Sequence, residues 1–542
     1  MNVLPVIQRE LQAASRRGAT WHLRVAFACA AVLALGAGLV FPDVRLDERG
    51  QVVLVCLAVG GFALSLFTGA YLTADTLSAE KREGTLGLLF LTPLNGRDIV
   101  LGKMACHSLQ VGVGWLAVFP MFYLPVMLGG VLWTEVGRLL LALLLTMALS
   151  IAFGMFWSTV CTEARTAVLA TVVTMLLLAL LPWLPAFLVA VFGRRGFTLQ
   201  GFAECSPMTP VVQAFQDNYR HVWRSFLGTT PGAVVYWRSA AVAGGLSLAL
   251  VFLSGTLLPR LWRRAESAGS RPARRRAPPA AWQERVRSDE RLLALAGSPA
   301  LWLAARGAAE ARWLRGLRWL TLLFFGLMLF VSVGTRHWEE GFVSAMGAAY
   351  GLHLVVRIHA ILTATRALHE DRRSGALELL LVTPLSEPSL LEGYQRSFVQ
   401  ALQNPRRSLL LMNVALQSMV IVFGRQLHMH GGEWAIFSAF FTGGFVVTLS
   451  DFFTLRWIGP VAALRATTHL RAAGRVFAAS MLVPWLGFVA TFLIAIQFNE
   501  EEVAAVIFAS WAAVCVGWNA LLGAGARAWL RGGIRRRVAE AG

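Results

Sequence analysis

Long, continuously apolar stretches recur from one end of the chain to the other, and this pattern restricts the fold more than any other feature. A helix needs roughly 20 mostly apolar residues to cross a bilayer. The stretches show no alternation of period two, so we predict α-helices, whose backbone groups are satisfied internally, rather than a barrel. About twelve spans follow, at residues 23–41, 52–74, 105–131, 139–160, 167–192, 236–258, 317–333, 342–362, 409–423, 434–453, 476–498 and 503–522, of which 409–423 is the shortest.

Charge supports a membrane location through both its amount and its placement. Only 15% of the residues are charged and 56% are hydrophobic, whereas soluble domains carry about 25% charged residues. The net charge of +19 does not indicate nucleic-acid binding, because the basic residues concentrate before the first span, after the second, between the halves and at the C-terminal end. With an even number of spans these regions share one face. The positive-inside rule then predicts a multi-pass protein of a cytoplasmic (inner) membrane with both termini cytoplasmic, and the basic loop at 193–236 is the exception.

An internal repeat divides the chain into two similar halves. Residues 80–94 read EKREGTLGLLFLTPL and residues 371–385 read DRRSGALELLLVTPL. The two segments align without a gap at an offset of 291 positions. Both copies follow the second span of their half, and we call them the first and second Gly-turn segments. We predict two six-span domains, 1–258 and 299–542, joined by an Arg/Pro-rich cytoplasmic linker at 259–298.

Each half also opens with an amphipathic stretch. Apolar residues share one face at helical spacing, namely Leu4, Ile7, Leu11 and Ala14 in the first half and Trp302, Ala305, Ala309 and Trp313 in the second. Such helices lie along a membrane surface with their apolar face down. A solvated cytoplasmic helix is the alternative for each stretch, and the recurrence of the pattern makes it the weaker one.

The Gly-turn segments each combine a charged turn with a short apolar helix. Gly84 or Gly375 can open that helix, and the run that follows is almost wholly apolar. Pro93 or Pro384 ends it, because the residue before a proline resists helical geometry. Such a helix either packs beneath its own bundle or docks a soluble partner, and the residues alone leave both possibilities open.

A second helix is predicted to follow each short one. Asn95 and Ser386 are suitable N-caps, and Asp98 is available near the first copy's N-terminus, where a negative charge is favourable.

The doubled pattern after a second span resembles the membrane subunits of ABC exporters of the type-two class. The resemblance covers both halves. The matching residues are Lys81, Arg82, Gly84, Thr85, Leu86, Leu88, Thr92 and Pro93 in the first half and Arg372, Arg373, Gly375, Leu377, Glu378, Leu379, Thr383 and Pro384 in the second. Glu378 fits the usual acidic position of that family, whereas Gly87 departs from it, so the first copy is expected to grip a partner differently.

The resemblance implies that the short helices are coupling helices, which contact a separate ABC ATP-binding subunit and transmit its movement. ATP and Mg would be bound by that subunit, with no cofactor, metal or enzymatic activity in this chain. Proteins of this class pair two such domains around a central path, so one fused chain would supply both and a homodimer is not required. The loop at 193–236 resembles the outer hairpin of the family. The second half turns within residues 499–502 and is expected to lack that hairpin.

Three other strings of residues are weaker indications of chemistry. Residues 96–104 approach a phosphate loop but have five residues between the glycines and no Ser or Thr after the lysine, whereas the loop needs four and a hydroxyl. His428 and His430 have no third metal ligand nearby. The acidic residues 500–502 suit a solvated turn.

Arg357 is the clearest ionisable residue inside a predicted span, where charges are costly. It either pairs internally near the cytoplasmic end, which we favour, or faces a transport path and binds an anionic group. Asp451 and His107 are weaker cases of the same kind.

Two other classes of function remain as alternatives. An ion-gradient-driven secondary transporter would explain twelve spans but would usually show midplane carboxylates or broken helices. A membrane scaffold that docks an ATPase without transporting would explain the repeat equally well.

Overall fold

Helices make up nearly all of the described part of this protein in the computed structural model, and the chain divides into two compact units, Met1–Pro272 and Ala273–Gly542. The structure describes all residues except 1–3, 16–18, 41–47, 184–199, 221, 226–227, 270–311, 335–337, 384, 424–430, 485, 488–489, 491–500, 534 and 537–542. Within that part, eight helices are long and apolar enough to cross a membrane, namely Arg49–Glu83, Gly96–Leu128, Trp133–Val160, Ala164–Trp183, Gly232–Trp262, Ala345–Arg373, Ala435–Arg465 and Ala505–Arg531. The prediction of an all-α, multi-pass membrane protein is confirmed.

The other four predicted spans are helical where the structure describes them. Residues 23–41, 317–333 and 409–423 fall almost entirely on Ala19–Val40, Arg312–Gly334 and Gln403–Phe423, respectively. Residues 476–498 begin on a helix, but most of their second half lies outside the described residues. Also outside the described residues are the predicted interfacial stretch at 302–311, the outer turn at 499–500 and the two histidines at 428 and 430. The count of twelve therefore stays a prediction.

The first unit contains thirteen α-helices, two short 3-10 helices (Phe119–Phe122 and Leu181–Trp183) and one hairpin in its described part. The helices are α1 (Leu4–Ser15), α2 (Ala19–Val40), α3 (Arg49–Leu72), α4 (Thr76–Glu83), α5 (Thr85–Phe90), α6 (Gly96–Val118), α7 (Tyr123–Leu128), α8 (Trp133–Val160), α9 (Ala164–Leu180), α10 (Gln200–Ala203), α11 (Met208–Gln213), α12 (Gln216–Arg220) and α13 (Gly232–Gly269). Strands β1 (Val222–Ser225) and β2 (Gly228–Pro231) pair antiparallel, with Val222 opposite Pro231. This hairpin lies in the loop that resembles an outer hairpin.

The segment before that hairpin folds back into its own unit. Ser206 and Thr209 are buried, and the Ser206 hydroxyl donates to the Ala179 carbonyl at 2.7 Å. Arg138 of α8 donates to the Ala214 carbonyl at 3.1 Å. These bonds satisfy backbone groups that would otherwise be buried without partners, so the outer loop is fixed to α8 and α9.

The second unit repeats this order of helices more briefly. Its described helices are α14 (Arg312–Gly334), α15 (Trp338–Arg373), α16 (Ala376–Val382), α17 (Glu387–Ala401), α18 (Gln403–Phe423), α19 (Gly431–Arg465), α20 (His469–Phe477), which continues into a π-helical turn at Ala478–Leu482, and α21 (Glu501–Arg531).

The second and fourth spans of each unit cross at a glycine. A Cβ atom at Gly154 would lie 2.1 Å from Oγ1 of Thr73, and one at Gly459 would lie 2.6 Å from Cβ of Ala364. Thr73 and Ala364 are 291 positions apart, like the Gly-turn segments, whereas the two glycines are 305 apart. The repeat therefore continues into the fourth span, where small residues let the backbones approach closely.

Helix α13 extends into the residues predicted as a linker. It continues through Pro259 to Gly269, so residues 259–269 of the predicted linker at 259–298 are helical. Pro259 removes one backbone hydrogen bond, but the carbonyl it frees, that of Gly255, lies against the start of α6, where a Cβ on Gly96 would be only 2.6 Å away. Membrane helices tolerate proline when neighbours cover the freed groups in this way. The remaining domain boundaries stay predictions.

Candidate functional site: the two Gly-turn segments

Both Gly-turn segments turn at a glycine in the left-handed region. Gly84 and Gly375 have the same φ of +73°, a conformation that costs a residue with a side chain about 1–2 kcal/mol. In the first segment α4 ends one residue before the glycine and α5 begins one residue after it, and in the second α16 begins directly after the glycine. The chain therefore leaves the second span by a sharp turn into a short helix in both units.

The inner face of each short helix is buried in its own unit. Leu86 and Leu377 are both completely buried. Each packs in a cluster with residues of neighbouring helices, which include Leu77, Ile99 and Leu258 around Leu86 and Leu368, Leu390 and Leu530 around Leu377. The resemblance assigned Leu86 and Leu377 to partner contact, and in this structure both side chains are buried within their own units, where they hold the short helices in place.

The outer face of each short helix is apolar and exposed. Leu88 and Leu91 of the first segment are 65% and 84% exposed, and Leu379 and Val382 of the second are 73% and 87% exposed. The two pairs occupy the same positions of the repeat. In the first segment the sequence could not separate the inner from the outer leucines, because the run from Leu86 to Leu91 has no charged or polar side chain to mark a face. In the second segment Glu378 stands within the run and lies on the exposed side.

The first basic residue of each segment binds the end of the fourth span. The Lys81 ammonium donates to the carbonyls of Ser158, at 3.2 Å, and of Thr159, and the Arg372 guanidinium donates to the carbonyl of Leu464. The last carbonyls of a helix have no partner within it, and a cation there is favourable. Lys81 and Arg372 therefore join the second span to the fourth inside their own units, which the sequence did not indicate.

The next basic residue is closer to the surface. Arg82 pairs with Asp75 at 2.8 Å and donates to the Thr162 carbonyl at 2.9 Å. Arg373, at the matching position, is exposed. Thr85 and Glu378 are also exposed and border the outer apolar faces.

Threonine hydroxyls close the ends of both short helices. Thr92 donates to the Leu89 carbonyl at 2.5 Å and Thr383 donates to the Leu380 carbonyl at 2.6 Å. Pro93 follows directly and is exposed, whereas Pro384 lies outside the described residues.

The predicted caps of the next helices are confirmed. Helix α6 begins after Asn95, whose backbone N–H donates to the Asp98 carboxylate at 3.3 Å. Helix α17 begins after Ser386, whose hydroxyl accepts from the Ser389 N–H at 3.4 Å.

A buried lysine joins the first segment to the amphipathic helix α1. The Lys103 ammonium lies 2.8 Å from Oε1 of Glu80 and 3.1 Å from Oε1 of Glu10, and its side chain is only 4% exposed. Arg9 also lies 2.7 Å from Glu10. The four charges connect α1, α4 and α6. This network could not be predicted from the sequence, because Glu10 and Lys103 are far apart in the chain.

The second segment makes the same contact without a cation. Tyr394 and Asp371 stand 291 positions after Lys103 and Glu80, and the Tyr394 hydroxyl donates to the Asp371 carboxylate. Burial and the neighbouring carboxylate raise the pKa of Tyr394, so the hydroxyl stays protonated. Both units thus connect the Gly-turn segment to the following helix at one matched position.

Arg357 pairs inside the second unit. Its guanidinium lies 2.8 Å from Oδ2 of Asp451, whose Oδ1 accepts from Asn519 at 2.8 Å, and it also donates to the Ser480 carbonyl. These residues connect α15, α19 and α21, and the matched positions in the first unit hold no such pair. His107 is likewise hydrogen-bonded within its own unit. The sequence shows that Arg357, Asp451 and His107 stand within predicted spans, but it does not indicate which groups they pair with.

A comparison with protein families matches residues 5–193 to the family described as ABC-2 family transporter protein. The match covers α1 to α9, including the first Gly-turn segment. No curated protein matches the chain.

Proposed function

We propose that this chain, whose residues 5–193 match the ABC-2 transporter family, is the membrane permease of an ATP-driven exporter with a separate ABC ATP-binding subunit. The single observation that carries the proposal is the matched pair of exposed apolar faces, Leu88 with Leu91 and Leu379 with Val382. They stand at equivalent positions of a repeat, outside any apolar stretch that would cross a bilayer. Exposed apolar patches of this kind mark interaction sites.

The proposed docking surface differs from the one that the resemblance alone implies. It consists of the outer faces of α5 and α16 with the polar residues beside them, namely Thr85, Arg82, Glu378 and Arg373. Four residues of the segments lie beneath this surface and make their contacts within their own units, namely Lys81, Arg372, Leu86 and Leu377.

The contacts behind the surface supply a route for force in each unit. A push on α5 reaches α8 through Lys81, α6 and α1 through Lys103, and the bundle through Leu86. A push on α16 reaches α19 through Arg372 and α17 through the Asp371–Tyr394 hydrogen bond. We infer that closure of two ATP-bound motor subunits moves these spans, while ATP and Mg stay in the partner and this chain carries out no covalent chemistry.

The basic residues support the proposed orientation. Lys81, Arg82, Arg372 and Arg373 lie beside the two short helices, and the positive-inside rule places them in the cytoplasm. The site then faces the compartment that contains ATP, in an inner membrane.

The test is a mild-detergent pull-down of the tagged protein from its native membrane, followed by mass spectrometry. Wild-type protein is expected to retain a soluble protein with a phosphate loop. The double variant Leu91→Asp/Val382→Asp should weaken that retention at least about tenfold, because burial of one leucine-sized side chain contributes roughly 1.5–3 kcal/mol. The control is Leu132→Asp, which puts the same charge on a residue that is 51% exposed before α8, on the opposite predicted face.

Loss of the ATPase in the control as well would show a general defect, and equal retention by the double variant would refute docking at these faces. Transport by vesicles that contain both proteins then separates an exporter from a scaffold, since a scaffold binds the ATPase but moves nothing. ATP-independent transport driven by an ion gradient would favour the secondary transporter.

A further inference from the structure

Two arginines of the second unit share one tryptophan ring. The guanidinium carbon of Arg456 on α19 lies 5.3 Å from the centre of the Trp457 ring, and that of Arg527 on α21 lies 5.1 Å from the same ring. Arg456 also lies 4.2 Å from the centre of the Phe453 ring. Both cations are held in place by aromatic faces, an arrangement that is favourable by about 0.5–2 kcal/mol for each.

The positive charge of this pair is not balanced nearby. In the described part of the chain neither guanidinium forms an ion pair with a carboxylate, and the two repel each other. Nε of Arg456 is buried without a hydrogen-bond partner in the structure. Arg527 is exposed and Arg456 is partly exposed, so this pair of cations is open to an anion, whose charge would offset their mutual repulsion.

The depth of the pair indicates where the anion comes from. Both arginines lie within the C-terminal parts of the helices that are long enough to cross a membrane, Ala435–Arg465 and Ala505–Arg531. They stand three and five residues, respectively, beyond the apolar spans 434–453 and 503–522 that the sequence predicts. Tryptophan with arginine at the end of a span is typical of the level of lipid headgroups.

The surface beside the pair is apolar and exposed. Val446, Leu449 and Phe453 are exposed at helical spacing on the stretch of α19 that leads to Arg456. Leu521 is exposed on α21 ahead of Arg527. A ligand that covers these side chains and also reaches both guanidinium groups has an acidic head and a hydrocarbon tail.

We propose that Arg456 and Arg527 bind the phosphate of one anionic phospholipid, whose acyl chains lie along Val446, Leu449 and Phe453. Basic pockets between membrane helices hold acidic headgroups in this manner. The first unit lacks the site, because Ile151, which matches Arg456 at the 305-residue offset, is apolar and completely buried. Trp457 also packs in the cluster that anchors Leu377 of α16, so the lipid would support the second Gly-turn segment. The proposal does not depend on the ATPase partner.

The test is native mass spectrometry of purified, delipidated protein after addition of phosphatidylglycerol or phosphatidylcholine. The variant is Arg456→Gln/Arg527→Gln. The control, Arg471→Gln/Arg475→Gln, removes two exposed arginines of α20, so it loses the same charge away from Trp457. We expect the variant to bind phosphatidylglycerol at least about tenfold more weakly than the wild type, because each interfacial arginine contributes roughly 1 kcal/mol, and the control to bind it normally.

Several outcomes would overturn the proposal. Equal loss in the control would show that only net charge matters, and undiminished binding by the variant would place the lipid elsewhere. Displacement of phosphatidylglycerol by excess inorganic phosphate would assign the site to a free anion. The charge-preserving variant Arg456→Lys/Arg527→Lys, which is expected to retain the lipid, separates a binding defect from a folding defect.

Discussion

Lys103 holds Glu80 in a buried ion pair, with 2.8 Å between Nζ and Oε1. Asp371 and Tyr394 make the equivalent contact in the second unit without a formal positive charge. An ion pair in one unit and a hydrogen bond in the other therefore connect the Gly-turn segment to the next helix at the same position of the repeat. Exchanging the residues of one contact for those of the other tests whether they are equivalent.

Replacing Lys103 by methionine should destabilise the first unit by on the order of 2 kcal/mol, because Glu80 and Glu10 would lose their shared cation while partly buried. The double variant Glu80→Asp/Lys103→Tyr copies the second unit and should recover much of that loss. Denaturant unfolding in detergent measures both. If the double variant is no more stable than Lys103→Met, the two contacts are not interchangeable.

Acid should release α1 from the first unit. Burial alone raises the pKa of Glu10, but the neighbouring Lys103 and Arg9 outweigh it, so the pKa is lowered from its ordinary value of 4.5. A carboxylate whose pKa is lower in the folded than in the unfolded state stabilises the folded state at pH values above its ordinary pKa. This stabilisation is lost as the pH falls through the lowered pKa. Hydrogen-exchange protection of α1, corrected for the chemical exchange rate, should therefore drop below about pH 4.5.

The control for this prediction is Glu10→Gln, which cannot titrate. Its α1 should be weakly protected at neutral and acidic pH alike. An identical acid response in the wild type and in Glu10→Gln would assign the effect to another group.

The glycines at the two helix crossings should resist substitution. Gly154→Ala and Gly459→Ala each place a Cβ atom within 2.6 Å of the facing helix, and such overpacking costs typically about 1–3 kcal/mol. Gly112→Ala in α6 is the control, because nothing lies within 4 Å of its Cβ position. Thermal unfolding in detergent compares the three variants. Equal midpoint temperatures would mean that the facing helices accommodate the added methyl groups without loss of stability.

Arg357 should prove to be a structural residue. Arg357→Met leaves Asp451 buried without its cation, which costs about 3–5 kcal/mol, whereas Arg357→Met/Asp451→Leu removes both charges and should restore most of the stability. Unfolding in detergent measures this difference. Vesicle transport is the second measurement, and a restored double variant that folds but no longer transports would assign Arg357 to the path.

Local rules of the chain allowed the Gly-turn segments to be predicted. The turns at Gly84 and Gly375, the short helices after them and the caps at Asn95 and Ser386 depend on neighbouring residues only, and the structure contains them all. The exposed side of each short helix could not be predicted, because it depends on which neighbours cover Leu86 rather than Leu88.

Contacts between distant residues could not be predicted either. The acceptors of Lys81 are backbone carbonyls at the end of α8, and a carbonyl has no signature in a sequence. The continuation of α13 through Pro259 depends on close packing against Gly96, whereas a local rule ends or kinks the helix there.

The extension of α13 has a mechanical consequence for how the two halves are tethered. Trp262 on that extension stacks on Phe90 of the first short helix, with 4.8 Å between ring centres and 28° between ring planes. The C-terminal extension of α13, which leads toward the second half, is therefore packed against α5. If α5 moves on docking, as proposed, the C-terminal part of α13 is expected to move with it through the Phe90–Trp262 contact.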